Sequence, residues 1–108
     1  MRVISGAGEF AGTASWVEHL SVADLSVGTY SLPAGSTDSQ EPHTEDEVYL
    51  ITAGRAVLES GGDRMTVRPG SVIYVPAGEV HRFAEIAEDL AAIVVFAPAE
   101  YSRALAAH

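Results

Sequence analysis

Cysteine is absent from the 108-residue chain, which excludes disulfides, thiolate zinc sites and cysteine nucleophiles and leaves only nitrogen and oxygen to hold any metal. Basic residues are scarce. Six Lys and Arg stand against 15 Asp and Glu, giving a formal charge of −9 and a pI near 4.6. Nucleic acids and anionic membranes both require a basic surface, so neither is expected as a partner. No apolar run is long enough to span a bilayer, and residues 1–12 lack the basic start and apolar block of a secretory signal. A soluble, cytoplasmic protein is expected. Internal repeats, low-complexity tracts and linkers are missing as well, and the 47% hydrophobic content suffices for one modest core.

What is present reads as short strands. Residues 1–15 are rich in Gly, Ala and Ser, with Val3, Ile4 and Phe10 as anchors, and form an N-terminal arm; residues 16–108 form a single domain. Strands are expected over 16–22, 25–32, 48–52, 55–60, 65–68, 71–75, 80–86 and 90–96. Between them lie turn signals: Pro33 to Gln40, Ala53-Gly54, Gly61-Gly62-Asp63, Pro69-Gly70 and Pro76-Ala77-Gly78. Pro98 is placed to open a short terminal helix through Ala107. Strands this short and regularly spaced predict an all-β antiparallel sandwich or barrel.

The chemistry-bearing stretch is 35–54, centred on Glu41, Pro42, His43, Thr44, Glu45, Asp46 and Glu47. In an extended chain alternate side chains share a face, so Glu41 and His43 are expected to point the same way. Neighbouring carboxylates resist ionising together unless positive charge sits among them, and a divalent cation would supply it.

Two motifs resemble the cupin superfamily, whose domains are small antiparallel β-barrels of jelly-roll type. The first, G-x5-H-x-H-x3-E-x6-G, is met at every spacing by Gly35, Glu41, His43, Glu47 and Gly54, with Glu41 in place of the first histidine. The second, G-x5-P-x-G-x2-H-x3-N, is met by Gly70, Pro76, Gly78 and His81, with Glu85 where asparagine is usual. The resemblance implies a cupin barrel with a divalent metal, Fe(II), Mn(II) or Zn(II), held by Glu41, His43, Glu47 and His81. Were Glu41 to swing away, His43, His81 and Glu47 would remain as a two-histidine, one-carboxylate triad with open positions. Gln40 is a substitute ligand candidate, but strand alternation would put it on the opposite face from Glu41.

Each feature also has a plainer reading. His43 and His81 would then be pocket or core histidines, and Glu45 and Asp46 a solvated turn. Glu85, four residues from His81, is roughly 13 Å away along a regular strand and belongs at the surface or barrel mouth. Tyr49 and Ile51 share the parity of Glu47, and Phe83 that of His81, so all should face the interior. Tyr49 is the candidate catalytic residue, through its hydroxyl. Trp16, Leu25, Val27 and Tyr30 read as barrel or dimer-interface residues; His19 and His108 receive no role.

Two functional classes remain open. One is a small metalloenzyme, dioxygenase-like or an isomerase or lyase, acting on a small organic molecule. The other is a non-catalytic small-molecule-binding module. A third reading is a purely structural dimer; a homodimer is expected whichever holds, with the arm suited to adding a strand or strap to a neighbour.

Overall fold

The structure, a computed structural model, describes residues 1–103. Its strands are β1 (Ser15–Val22), β2 (Leu25–Leu32), β3 (Asp46–Ala53), β4 (Ala56–Ser60), β5 (Asp63–Val67), β6 (Val72–Val75), β7 (Arg82–Ala84) and β8 (Leu90–Ala97). All pairings are antiparallel. A five-stranded sheet in the order β1-β2-β8-β3-β6 packs against a three-stranded sheet in the order β5-β4-β7. The core between them joins Tyr49, Val94 and Phe96 of the larger sheet to Leu58 and Phe83 of the smaller. This is the expected all-β barrel.

Alternation in β3 decides what the core side sees. Glu47, Tyr49 and Ile51 are all buried, while Leu50 and Thr52 face outward. The nearly continuous apolar run of β8 has a different cause. Its inner face meets the core, and the arm crosses its outer face at Gly8, where an added Cβ would lie 3.2 Å from Ile93. Gly8 N–H donates to Thr29 Oγ1 (2.8 Å) and Ala11 N–H to Ser31 Oγ (3.2 Å). The arm therefore lies along its own sheet.

One expected strand is shorter than the sequence suggested, and one expected element is described only in part. The strand expected over 80–86 is reduced to β7, because Glu85 at φ +46° leaves the extended region and ends it. The expected terminal helix is not seen as an element among the described residues. After Pro98 the chain turns, with Ser102 N–H donating to the Ala99 carbonyl (3.0 Å), and only Ser102 and Arg103 have helical backbone. The rest of that helix would fall at 104–107, outside the described residues.

Gly54, which closes the first motif, has φ +83°, and a Cβ there would sit 2.2 Å from the Asp89 carbonyl oxygen. Gly61 has φ +57° with nothing within 4 Å of an added Cβ. A left-handed backbone alone costs a non-glycine residue about 1–2 kcal/mol. Gly61→Ala should therefore lose about that much in urea denaturation, and Gly54→Ala clearly more, since backbone must move. Equal losses would contradict the close approach.

Candidate functional site

β3, the loop before it, the turn before β7 and the C-terminal segment converge at one end of the barrel. All of these but the turn before β7, together with β1, β2 and β8, line a partly open cavity of about 190 Å³, and His81 from that turn meets Glu47 beside it. Glu47 and Tyr49 come from β3, Val94 and Phe96 from β8, Gln40 and His43 from the loop, and Glu100 and Tyr101 from the C-terminal segment. Trp16 and Tyr30, expected only as packing or interface residues, also line it. They are register partners on β1 and β2, and the Trp16 ring lies over Gly28, where a Cβ would meet it at 2.3 Å.

At the base of the cavity Glu47 Oε1 is 2.8 Å from His81 Nε2 and 3.8 Å from His43 Nδ1. His81 Nδ1 is 2.8 Å from the Glu79 carbonyl oxygen. A carbonyl only accepts, so Nδ1 carries a hydrogen, and Nε2 of a neutral imidazole would turn a lone pair on the Glu47 carboxylate. The Tyr49 hydroxyl donates to Gln40 Oε1 (3.0 Å) and lies 3.0 Å from the same Nε2. Glu47 Oε1 and a neutral Nε2 are then two acceptors in contact, which demands positive charge between them: a second proton on His81 or a cation. Burial works against imidazolium, but the bonds to Glu47 and Glu79 and the charges of Glu47 and Asp38 outweigh it, leaving the His81 pKa above its ordinary value. Burial, with Glu47 beside it, pushes the Tyr49 phenol well up, so it stays a neutral hydroxyl.

Buried side-chain atoms without a hydrogen-bond partner include His43 Nδ1 and Glu47 Oε2. The other nitrogen of His43, Nε2, is 2.9 Å from Glu100 Oε2. Burial raises the Glu100 carboxyl, against the pull of His43. A metal is implied by the motifs, and the donors suit one: two imidazole nitrogens face Glu47 Oε1, one of them, His43 Nδ1, is unsatisfied, and so is the second oxygen of the same carboxylate, Oε2. Their spacing is nevertheless open. Among the described residues no three His, Asp or Glu side chains are gathered as in a formed metal centre.

The predicted ligands do not all meet. His43, Glu47 and His81 are brought together, whereas Glu41 is exposed and is not among the residues lining the cavity. Residues 37–43 form no strand, and two successive residues, Glu41 and Pro42, are both exposed, so the alternation expected there is broken. Gln40 takes the inward place instead. Its amide donates to Asp38 Oδ2 (2.7 Å) while its oxygen meets Tyr49. Glu85 is at the surface, where Arg64 pairs with it at 2.6 Å.

Glu45 is not a solvated residue. It is buried, accepting the Tyr101 N–H (2.7 Å), the Arg103 N–H (3.0 Å) and the Thr44 hydroxyl. Burial opposes its ionisation, but the Thr44 hydroxyl and those two N–H groups hold its pKa below the usual value. Asp38 is the residue the sequence hid. It accepts from the Tyr30 hydroxyl (2.7 Å), Gln40 N–H (3.2 Å), the Gln40 side chain and Phe83 N–H (2.8 Å). It sits in a Ser- and Thr-rich loop whose composition signals only turns. Glu100 and Tyr101 carry no motif, and contact with the site is their only signal.

Residues 28–97 match the family model described as a cupin domain. An uncharacterised protein of Streptomyces coelicolor is 48% identical over 90 residues, covering 83% of this chain and 86% of that protein. Among solved structures, the DMSP lyase DddQ of Ruegeria pomeroyi superposes with a TM-score of 0.66 at 25% identity, over 70% of this chain and 39% of the lyase. A predicted oxalate decarboxylase of Thermotoga maritima gives 0.59 at 25% identity, over 68% of this chain and 65% of that one. This chain thus spans well under half of the lyase and about two thirds of the predicted decarboxylase.

Asp38→Ala would leave the Tyr30 hydroxyl, the Gln40 amide and the Phe83 N–H without their acceptor. Each such loss costs about 1–3 kcal/mol, so the variant should lose about 3 kcal/mol or more in urea denaturation. A loss under about 0.5 kcal/mol, the range of a surface change, would show that Asp38 does not hold the loop.

Proposed function

Taking as premise that this chain belongs to the cupin-domain family, we propose that it is a metal-binding small cupin acting on a small organic molecule, with His43, Glu47 and His81 as the metal ligands. The observation that carries this reading is the pair of unsatisfied buried atoms, His43 Nδ1 and Glu47 Oε2, beside a His81 Nε2 whose partner nitrogen is already committed to the Glu79 carbonyl. Fe(II), Mn(II) or Zn(II) suits such donors, and a bound ion would supply Lewis acidity and open positions for substrate or dioxygen.

The chain's own residues define the rest. The cavity's lining includes Glu47 and Glu100 but no Lys or Arg, so nothing in the wall itself would neutralise an anion. A volume of about 190 Å³ lies below the roughly 300–1,000 Å³ of drug-sized ligand sites, so the substrate is small. Phe96, Val94, Trp16 and Tyr101 contribute apolar surface that would exclude water. The Tyr49 hydroxyl, kept neutral by burial, is suited to donate a hydrogen bond without ionising. Similarity to a lyase and to a predicted decarboxylase supports bond-breaking chemistry alongside the dioxygenase-like alternative.

A second reading is favoured by the raised pKa of His81. A proton alone could neutralise the Glu47 contact, leaving a metal-free module that binds small molecules.

The two readings separate in a metal titration. The untagged protein should take up about one Fe(II), Mn(II) or Zn(II). His81→Ala and Glu47→Gln should weaken binding at least about 100-fold, the order expected for removing a ligand. Glu41→Gln should leave affinity within about twofold, because an exposed carboxylate contributes little. No uptake by the parent would overturn the metal reading in favour of the protonated, metal-free one.

A further inference from the structure

We propose that Glu100 is a positioning residue of this centre: its carboxylate holds the Nε2–H of His43, so that Nδ1 is the nitrogen presented to the ion. The second carboxylate of the site then comes from the C-terminal segment and not from Glu41. The inference rests on the metal reading of His43, Glu47 and His81.

An imidazole flanked by two carboxylates is ambiguous until one nitrogen is fixed, because the hydrogen bond made by one nitrogen sets the state of the other. His43 is in that position. Glu100 Oε2 lies 2.9 Å from Nε2, while Glu47 Oε1 is 3.8 Å from Nδ1, beyond hydrogen-bond reach. Glu100 therefore holds the ring, and Nδ1 is left buried without a partner, facing the Glu47 oxygen. His81 is arranged in the same way, its outward nitrogen held by the Glu79 carbonyl and its inward nitrogen turned on Glu47. Both rings thus have their outer nitrogen engaged, the pattern that orients metal-binding histidines and raises their basicity.

The segment carrying Glu100 is anchored closely enough for this task. Glu100 N–H donates to Ser26 Oγ (2.9 Å), and the next residue's N–H donates to Glu45 (2.7 Å). Ser26 and Glu45 are themselves buried. The imidazole is confined sideways too, its centroid 4.5 Å from that of Phe96 and 6.2 Å from that of Tyr101. Turning the ring over would break the Glu100 bond, so Glu100 selects the nitrogen that faces Glu47.

The test reads both tautomer and affinity. Long-range ¹H–¹⁵N correlation spectra of the metal-free parent at mildly alkaline pH should show His43 as the Nε2–H tautomer. Glu100→Ala should lose that preference and bind Co(II) about 10–100-fold more weakly. Glu100→Gln, whose amide oxygen still accepts an N–H, should keep the tautomer and recover most of the affinity. An Nδ1–H tautomer in the parent overturns the proposal without any variant, so it stays testable even if Glu100→Ala does not fold. Parent-like Co(II) affinity in Glu100→Ala also overturns it. If His81→Ala still abolishes Co(II) binding in that case, the metal reading stands and only the role of Glu100 falls; if the parent binds no Co(II), both fall.

Discussion

The contact on which this site depends is the one between Glu47 and His81, two side chains almost wholly removed from water and 2.8 Å apart. With His81 Nδ1 engaged by the Glu79 carbonyl, neither partner can supply a hydrogen to the other without an added positive charge. Burying an uncompensated carboxylate costs several kcal/mol, so the barrel tolerates Glu47 only if that charge arrives. The rest of the architecture presents these two groups to each other. β3 turns Glu47 inward with Tyr49 and Ile51, and the turn before β7 brings in His81, with Gly78 N–H held by the His43 carbonyl (2.8 Å).

The chain buries two other carboxylates near this site, Asp38 and Glu45, and half-buries Glu100, and comparison shows why Glu47 is different. Asp38 is surrounded by the Tyr30 hydroxyl, the Gln40 amide and the Phe83 N–H, and it pushes the Tyr30 phenol upward, second to burial itself. Glu45 closes the C-terminal turn by accepting its backbone N–H groups. Both are satisfied by neutral donors and so serve structure. Glu100 has a histidine nitrogen at 2.9 Å, whereas Glu47 has one oxygen against histidine and the other unpartnered. Unspent hydrogen-bonding capacity in a buried group is what a ligand can use, and it is concentrated on Glu47 and the facing edge of His43.

Much of this was legible in the sequence because it depends on local rules. Residue types alone do not say which face of β3 is inward, but once the motif places Glu47 at the site, period-two alternation carries Tyr49 and Ile51 with it. The motif glycines fall at turns, Gly54 and Gly78 among them, both at positive φ. The reading failed where alternation was extended into a segment that is not a strand. Pro42 lacks an N–H and sits between exposed Glu41 and half-buried His43, so the face changes there and Gln40 turns inward. Asp38, Glu45 and Glu100 were illegible for another reason. Each is defined by partners far along the chain, such as Phe83 for Asp38 and Arg103 for Glu45, and no spacing rule reports such contacts.

The exposure of Glu41 has a consequence for the chemistry. A site with Glu41 and Glu47 both inward would have carried two carboxylates on one short stretch, sharing its fate in folding and its geometry. With Glu41 outside, the second carboxylate at the cavity is Glu100, carried on a segment that follows β8 and is pinned by Ser26 and Glu45. The composition of the site is little changed, but its control is. The orientation of His43 becomes tied to the seating of the C-terminal segment, and that seating to Glu45, one of the acids that a reading of local sequence assigns to a solvated turn.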